Sequence, residues 1–145
     1  MLSKVHKAYL AGFLDGDGSI YVRAKPNRTY RFNYQIAAYV VLFQSSKDRA
    51  QFEKLCSLIN LGYLRERNDG ILEYIIGRVD EIEEFLKMVS PFVILKQRQI
   101  DLMFEILRLK RLVKTKKDFA KLLEEVDRFR SLNYSKKRKK RILTP

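Results

Sequence analysis

Hydrophobic positions along this chain switch between two periods, near 3.6 residues and near 2, and the cycle then repeats. The first helical stretch covers about Lys4–Asp15. Tyr9, Gly12, Phe13 and Gly16 recur at i, i+3, i+4 and i+7 and share one face. Leu10 and Leu14 lie on a neighbouring face, so the helix is apolar on two sides and needs two partners. Ser19–Lys25 then alternates Ile20, Val22 and Ala24 against Tyr21, Arg23 and Lys25. The loop KPNRTYR leads to a long strand, Arg31–Phe43, with Arg31, Asn33, Gln35, Ala37, Tyr39 and Val41 on one side. A second helix is expected over about Lys47–Leu61, capped by Ser45 and Asp48, with Phe52, Leu55, Cys56 and Ile59 as its core stripe. Gly62–Arg67 and Ile71–Arg78 read as a hairpin around Asn68-Asp69-Gly70. A third helix begins at Asp80, with Glu83 three residues on, and stops before Pro91. Its stripe is Ile82, Phe85, Leu86 and Val89. Two further helices cover about Lys96–Leu112 and Asp118–Leu132.

The order is αββαββα with trailing helices, a repeat of pattern without a repeat of sequence. It predicts an α+β domain over residues 1–132: a twisted antiparallel sheet with helices on one face and an open second face. Residues 133–145 carry six consecutive cations, Lys136–Arg141, and read as a disordered basic arm that adds a salt-dependent hold on phosphates.

Composition narrows the function. The 145 residues are 46% hydrophobic and 32% charged, which suits one folded domain. No apolar run approaches the roughly 20 residues of a membrane span. Charge and a tyrosine interrupt the N-terminal apolar run, so a secretory signal is not expected and an intracellular protein is. A single Cys56 and a single His6 exclude an internal disulfide and disfavour structural zinc; both read as structural residues. Thirty Lys and Arg against 17 Asp and Glu give a net charge of +13, which suits a polyanion, nucleic acid before a membrane surface. The open face carries Tyr21, Arg23, Lys25, Gln35, Ala37, Tyr39, Val41, Arg65, Arg67, Glu73 and Ile75. Arg, Lys and Gln reach base edges in a major groove, and small apolar groups meet thymine methyls.

Against this positive background the stretch YLAGFLDGDGS, Tyr9–Ser19, places two acids at the end of a helix. A plain C-cap explains its glycines but not the acids, because negative charge there opposes the helix dipole. An EF-hand fails on register, since its obligatory glycine falls on Ile20 and its closing glutamate on Pro26. A DxD phosphotransferase turn needs a preceding parallel strand, and a helix precedes this one.

Leu10–Gly18 resembles, position by position, the nine-residue LAGLIDADG motif of homing endonucleases, with Phe13, Leu14 and Gly16 as its departures. The element order resembles that family over nearly the whole chain, most closely its single-motif members encoded in group I introns. The resemblance implies a homodimer whose motif helices pack through Tyr9, Gly12, Phe13 and Gly16. It implies double-stranded DNA as the substrate, with a pseudo-palindromic target cut on both strands to leave short 3′ overhangs. It implies no small-molecule substrate. Asp17 matches the catalytic, metal-holding acid, with the carbonyl of Gly16 beside it; Asp15 matches the acid that caps and orients the helix. Mg²⁺ is the expected ion, two or three per dimer, with Mn²⁺ as a substitute and Ca²⁺ supporting binding without cleavage. Gln44, Lys96 and Arg49, with Lys47 as the alternative to Arg49, match the polar and basic positions around the scissile phosphate. Arg23, Lys25, Gln35, Arg65 and Arg67 match groove contacts, and Asn27, Arg28, Thr29 and Tyr30 the outer ones. Ser135, Lys136, Lys137 and Arg138 match a phosphate-contacting segment. The competing reading is a splicing maturase or a non-cleaving DNA-binding regulator on the same scaffold. A structural RNA-binding protein outside the family is the third.

Overall fold

The computed structural model describes residues 2–133. Its elements are α1 Lys4–Asp17, β1 Gly18–Pro26, β2 Tyr34–Ser45, α2 Arg49–Ile59, β3 Tyr63–Glu66, β4 Ile71–Ile76, α3 Val79–Val89, α4 Gln97–Leu112 and α5 Lys116–Leu132. The strands form one antiparallel sheet in the order β1-β2-β4-β3.

Each helix start has a local cause. Ser3 caps α1: its hydroxyl accepts the His6 N–H at 3.2 Å, and His6 Nδ1 accepts the Ser3 N–H at 3.4 Å. The lone histidine is therefore a capping residue. Thr115 and Asp118 cap α5 in the same reciprocal way. At α2 the expected box is absent. The Ser45 hydroxyl accepts from the Lys47 N–H instead and holds a single 3-10 turn, Ser46–Asp48, so α2 begins at Arg49. α3 starts at Val79 without a side-chain cap; Asp80 and Glu81 sit in its first turn, where the dipole favours them. Glu83 pairs instead with Arg111 of α4 at 2.5 Å.

α1 runs two residues beyond the expected end and passes directly into β1. Gly18 donates to the Leu14 carbonyl yet is itself extended, φ −119°, so no left-handed cap ends the helix. Glycine is needed there for space: a Cβ would lie 2.7 Å from Leu14 Cδ1 and 2.8 Å from its carbonyl oxygen. β2 begins at Tyr34, three residues later than the alternation predicts. Turns close Asn27 to Tyr30 (3.2 Å) and Tyr30 to Asn33 (2.9 Å), and Asn33 is left-handed at φ +67°, so Arg31 and Asn33 belong to the loop. Asn68 and Asp69 turn the β3–β4 hairpin, and Gly70 follows at φ +82°, a conformation few other residues adopt at low cost.

The alternation of β1 and β2 then sorts the molecule. Ile20, Val22, Ala24, Ile36, Ala38, Val40 and Leu42 face the helices with Leu72, Tyr74 and Ile76 of β4. They meet Leu10, Ala11 and Leu14 of α1, the stripe of α3, and Ile100, Met103, Ile106, Leu122, Val126 and Phe129 from α4 and α5. The Tyr74 hydroxyl accepts the N–H groups of Leu61 (3.0 Å) and Gly62 (2.8 Å), which satisfies the α2–β3 connection from inside the core. Cys56 is buried in this core and its thiol is pushed up to about 12, so it stays neutral at physiological pH. Leu14 is fully buried at the end of α1. Leu14→Ala is expected to lower unfolding stability by about 2–5 kcal/mol in urea titrations, whereas Lys4→Ala on the exposed first turn should change it by less than about 0.5 kcal/mol.

Candidate functional site

The end of α1 carries two acids with opposite surroundings. The Asp15 carboxylate accepts three backbone N–H groups, from Ile94 (2.8 Å), Leu95 (3.0 Å) and Lys96 (3.1 Å). Lys96 is the N-cap of α4, so Asp15 caps the entry to α4 rather than its own helix. The Lys96 ammonium returns the contact, donating to the Asp15 carbonyl at 2.8 Å. That places a cation on the negative end of α1 and offsets the dipole.

Asp17, the last residue of α1, is exposed and has no hydrogen bond or ion pair among the described residues. Gly16 beside it is exposed too. A free carboxylate at a helix C-terminus is an unfavourable local choice that an external cation would relieve. The donors on offer, a carboxylate and backbone carbonyl oxygen, are hard ligands that fit Mg²⁺ or Ca²⁺. Among the described residues no three His, Cys, Asp or Glu side chains gather into a metal site. The remaining ligands of a six-coordinate ion must therefore come from water, a phosphate or a second protomer.

Lys96 is bonded to Asp15, two residues before Asp17, and Gln44 lies two residues beyond the Leu42 partner of Gly18. Gly18 pairs with Leu42, so Asp17 and Gln44 emerge at the same edge of the sheet from adjacent chain segments. Gln44 Oε1 accepts the Ser45 N–H at 2.8 Å. Arg49 is engaged by two acids. Its guanidinium is held by Glu53 at 3.2 Å and by Glu66, contacts that raise its pKa. Leu72 of β4 pairs with both Gln44 and Glu66, which puts Glu66 two strand spacings, about 10 Å, from Gln44. Lys47 is exposed and makes no ion pair among the described residues.

The open sheet face follows from register. Tyr21 stands opposite Tyr39, Arg23 opposite Ala37, Lys25 opposite Gln35, Val41 opposite Ile75, and Arg65 opposite Glu73. Arg23 is exposed and unpaired among the described residues. The Lys25 ammonium donates to the Tyr39 hydroxyl at 3.0 Å and lies 5.4 Å from its ring centre. Arg65 meets Glu73 at 3.1 Å without hydrogen-bond alignment, so that Glu73 oxygen is buried with charge compensation only. Arg67 follows β3 in the turn and pairs with Asp69 at 2.6 Å. Ala37, Val41 and Ile75 differ from expectation. They lie on the right face but are 7%, 1% and 8% exposed, covered by neighbouring side chains rather than offered to a ligand. Phe43 and Tyr63 share this face and the sequence reading omits them; extending the same alternation by one pair finds both.

In the β1–β2 loop, Asn27 Oδ1 accepts the Thr29 N–H (3.0 Å) and hydroxyl (2.7 Å), and Arg28, Thr29 and Tyr30 are exposed at its tip. Phe32 stacks on Phe119 of α5 at 4.9 Å and anchors the loop to the core. Ser135, Lys136, Lys137 and Arg138 lie outside the described residues.

Among the described residues the outer face of α1 has no packing partner. Val5 and Tyr9 are 78% and 61% exposed and line up with exposed Gly12 and Gly16. A Cβ on either glycine would meet nothing within 4 Å, so the chain's own packing does not require them. Phe13, also on α1, is half-buried, stacks on Phe52 of α2 at 5.9 Å and lies 6.5 Å from the Tyr9 ring. Among the described residues no helix is long and apolar enough to cross a membrane.

The two acids should part company in thermal melts. Asp15→Ala removes the acceptor of three N–H groups and is expected to lower Tm by several degrees. Asp17→Asn is expected to leave Tm unchanged or slightly raised, because it removes a charge that opposes the dipole.

The LAGLIDADG endonuclease family profile matches residues 10–104. The chain is 37% identical over 132 residues to DNA endonuclease I-CreI of Chlamydomonas reinhardtii, covering 90% of this chain and 80% of that one. It is 31% identical over 101 residues to DNA endonuclease I-CvuI of Chlorella vulgaris, covering 70% and 63%. Among solved structures, homing endonuclease I-CvuI in complex with the I-CreI target and Mg, its DNA not cleaved, superposes with a TM-score of 0.87 at 26% identity, over 94% of this chain and 87% of that one. I-CvuI bound to its own target with Ca superposes equally well, with a TM-score of 0.87. The archaeal intron-encoded homing endonuclease I-Vdi141I, complexed with DNA, shares the fold at a TM-score of 0.81 and 20% identity, over 93% and 88%. With its motif helix, sheet order and profile match in agreement, the chain belongs to the LAGLIDADG endonuclease family.

Proposed function

We propose that this chain is a homodimeric, metal-dependent homing endonuclease that cuts both strands of a long pseudo-palindromic DNA site and so promotes intron mobility. The observation that carries the reading is the Asp17 carboxylate, unpaired among the described residues, at the end of a helix whose glycine-bearing outer face has no partner among them. Two copies packed through Val5, Tyr9, Gly12 and Gly16 bring two such carboxylates to one centre, one for each DNA strand. The relatives support the reading, since they are DNA endonucleases whose structures hold DNA with Mg or Ca. A non-cleaving maturase or regulator has no use for an unpartnered acid at that position.

Asp17 and the Gly16 carbonyl hold the divalent ion. When bound, Mg²⁺ supplies an activated water, relief of phosphate charge and a stabilised leaving oxygen, with two or three ions serving the dimer and Mn²⁺ able to replace them. Ca²⁺ supports binding without cleavage. Lys96, fixed on the Asp15 carbonyl, keeps a positive charge beside the carboxylate for the scissile phosphate. Gln44 orients water through its amide. Arg49 serves the phosphate only after release from Glu53 and Glu66, and Lys47 is free to do so without rearrangement.

The open face lies in the major groove. Arg23, Lys25, Gln35, Arg65 and Arg67 meet base edges there, and Asn27, Arg28, Thr29 and Tyr30 reach the outer positions. Residues 133–145, including Ser135 to Arg138, act as a basic arm on phosphates. A paired sheet of this length covers roughly two turns of DNA and leaves short 3′ overhangs after cutting. The protein acts inside the cell, in an organelle or a microbial cytoplasm.

Cleavage of a randomised DNA library in Mg²⁺ tests the chemistry. Wild type is expected to cut one defined site, and Asp17→Asn to bind that site with its rate lowered by at least about 100-fold. Equal cutting by the variant refutes the assignment. Gly12→Leu tests the seam: sedimentation should show a folded monomer without cleavage, and a dimer that still cuts contradicts the packing.

A further inference from the structure

The open face holds a second apolar layer, apart from the helix-side core. Ala37, Val41 and Ile75 are buried on this face, opposite the helix-side core, and are absent from the core cluster of the described residues. Their cover is aromatic. Tyr21 and Tyr39 pair across β1 and β2 with rings 5.1 Å apart. The Tyr39 ring extends over Gly77, whose added Cβ would sit 3.6 Å from it. Phe43 stands one pair beyond Val41, and Tyr63 stands across β3 from Ile75. A solvated sheet face normally carries polar residues at such positions.

The layer is zoned relative to Asp17. Gly18 pairs with Leu42, so Phe43 and the Val41–Ser19 pair lie nearest the acid. The Tyr21–Tyr39 pair comes next, followed by Arg23–Ala37 and Lys25–Gln35. On the inner part of the sheet face the charges are Arg65 and Glu73, which compensate each other at 3.1 Å. Tyr21 is half-buried there, and burial holds its hydroxyl above the usual tyrosine pKa. A strand advances about 3.3 Å per residue, close to the roughly 3.4 Å rise of a DNA base pair. Successive outward pairs therefore pass about two base pairs at a time.

Given the endonuclease reading above, we infer that Tyr21, Tyr39 and Phe43 make the inner part of each half-site a methyl-reading surface, selecting thymine by apolar contact, while the outer part is read through Arg23, Lys25 and Gln35 by hydrogen bonds. Apolar side chains discriminate thymine through its 5-methyl group; the inner guanidinium, Arg65, is drawn to Glu73, and Arg23 and Lys25, cations able to recognise guanine, stand in the outer zone.

The test needs wild-type protein and two randomised half-site libraries, one made with thymine and one with uracil throughout. Cut ends are sequenced in Mg²⁺. Thymine should be enriched at the inner four or so positions of each half-site in the first library. In the second, uracil enrichment at those positions should fall by about fourfold for each methyl lost, with outer preferences unchanged. Phe43→Asn, a change at a half-buried residue outside the core cluster, should shift the nearest inner position from thymine towards adenine. Tyr39→Phe, which keeps the ring, should retain thymine. Defined cutting with inner guanine or cytosine, or with uracil enriched as strongly as thymine, overturns the inference and leaves the endonuclease reading intact. Absence of any defined cut overturns both.

Discussion

Everything at the centre of this molecule depends on the clamp between Asp15 and residues 94–96. One carboxylate satisfies three backbone N–H groups, and the lysine that supplies the last of them closes the loop by donating to the Asp15 carbonyl. The contacts span about eighty residues of sequence, so they tie the start of the fold to its later helices. They also explain how acids can stand at a helix C-terminus. Asp15 is compensated by its donors, and the Lys96 cation answers the dipole. The clamp fixes the helix end two residues before Asp17, which is unpaired among the described residues.

The two apolar faces of α1 have separate tasks. Leu10, Ala11 and Leu14 are fully buried against the sheet and α3, which orients the helix. Gly12 and Gly16 contribute nothing to that packing. Glycine in a helix interior costs about 1 kcal/mol relative to alanine, so its repeated use on an exposed face signals a contact outside the chain. The same logic applies to the open side of the sheet. An aromatic layer of half-buried Tyr21, Tyr39 and Phe43 beside Val41 and Ile75 stabilises the strands and leaves part of each ring accessible on the open face. Burial near Asp17 and charge further out give one sheet a gradient matched to one groove.

Much of this was legible in the sequence because periodicity records burial. The inward set Ile20, Val22, Ala24 and the helix stripes lie where the 2 and 3.6 periods put them. The motif residues marked the site because two acids at a helix end contradict the dipole. Other features depend on partners distant in sequence. The start of β2 was lost because Asn33 adopts a left-handed turn while Phe32 docks on Phe119, and neither is a local pattern. The stacking of Phe13 on Phe52 of α2 joins two helices distant in sequence and has no local signature. Arg49 reads as a free cation until the hairpin brings Glu66 to it. The burial of Val41 required knowing which aromatics stand beside it across three strands.

The central claim is that the fold delivers an unpartnered Asp17 for a divalent ion on bound DNA. Calorimetric titration of Ca²⁺ into the complex with the cleavage site tests it most directly, because calcium binding can be read without cleavage. Saturable uptake by wild type, lost in Asp17→Asn while the DNA stays bound, is the predicted result. Equal uptake by both proteins would place the ion elsewhere and contradict the account.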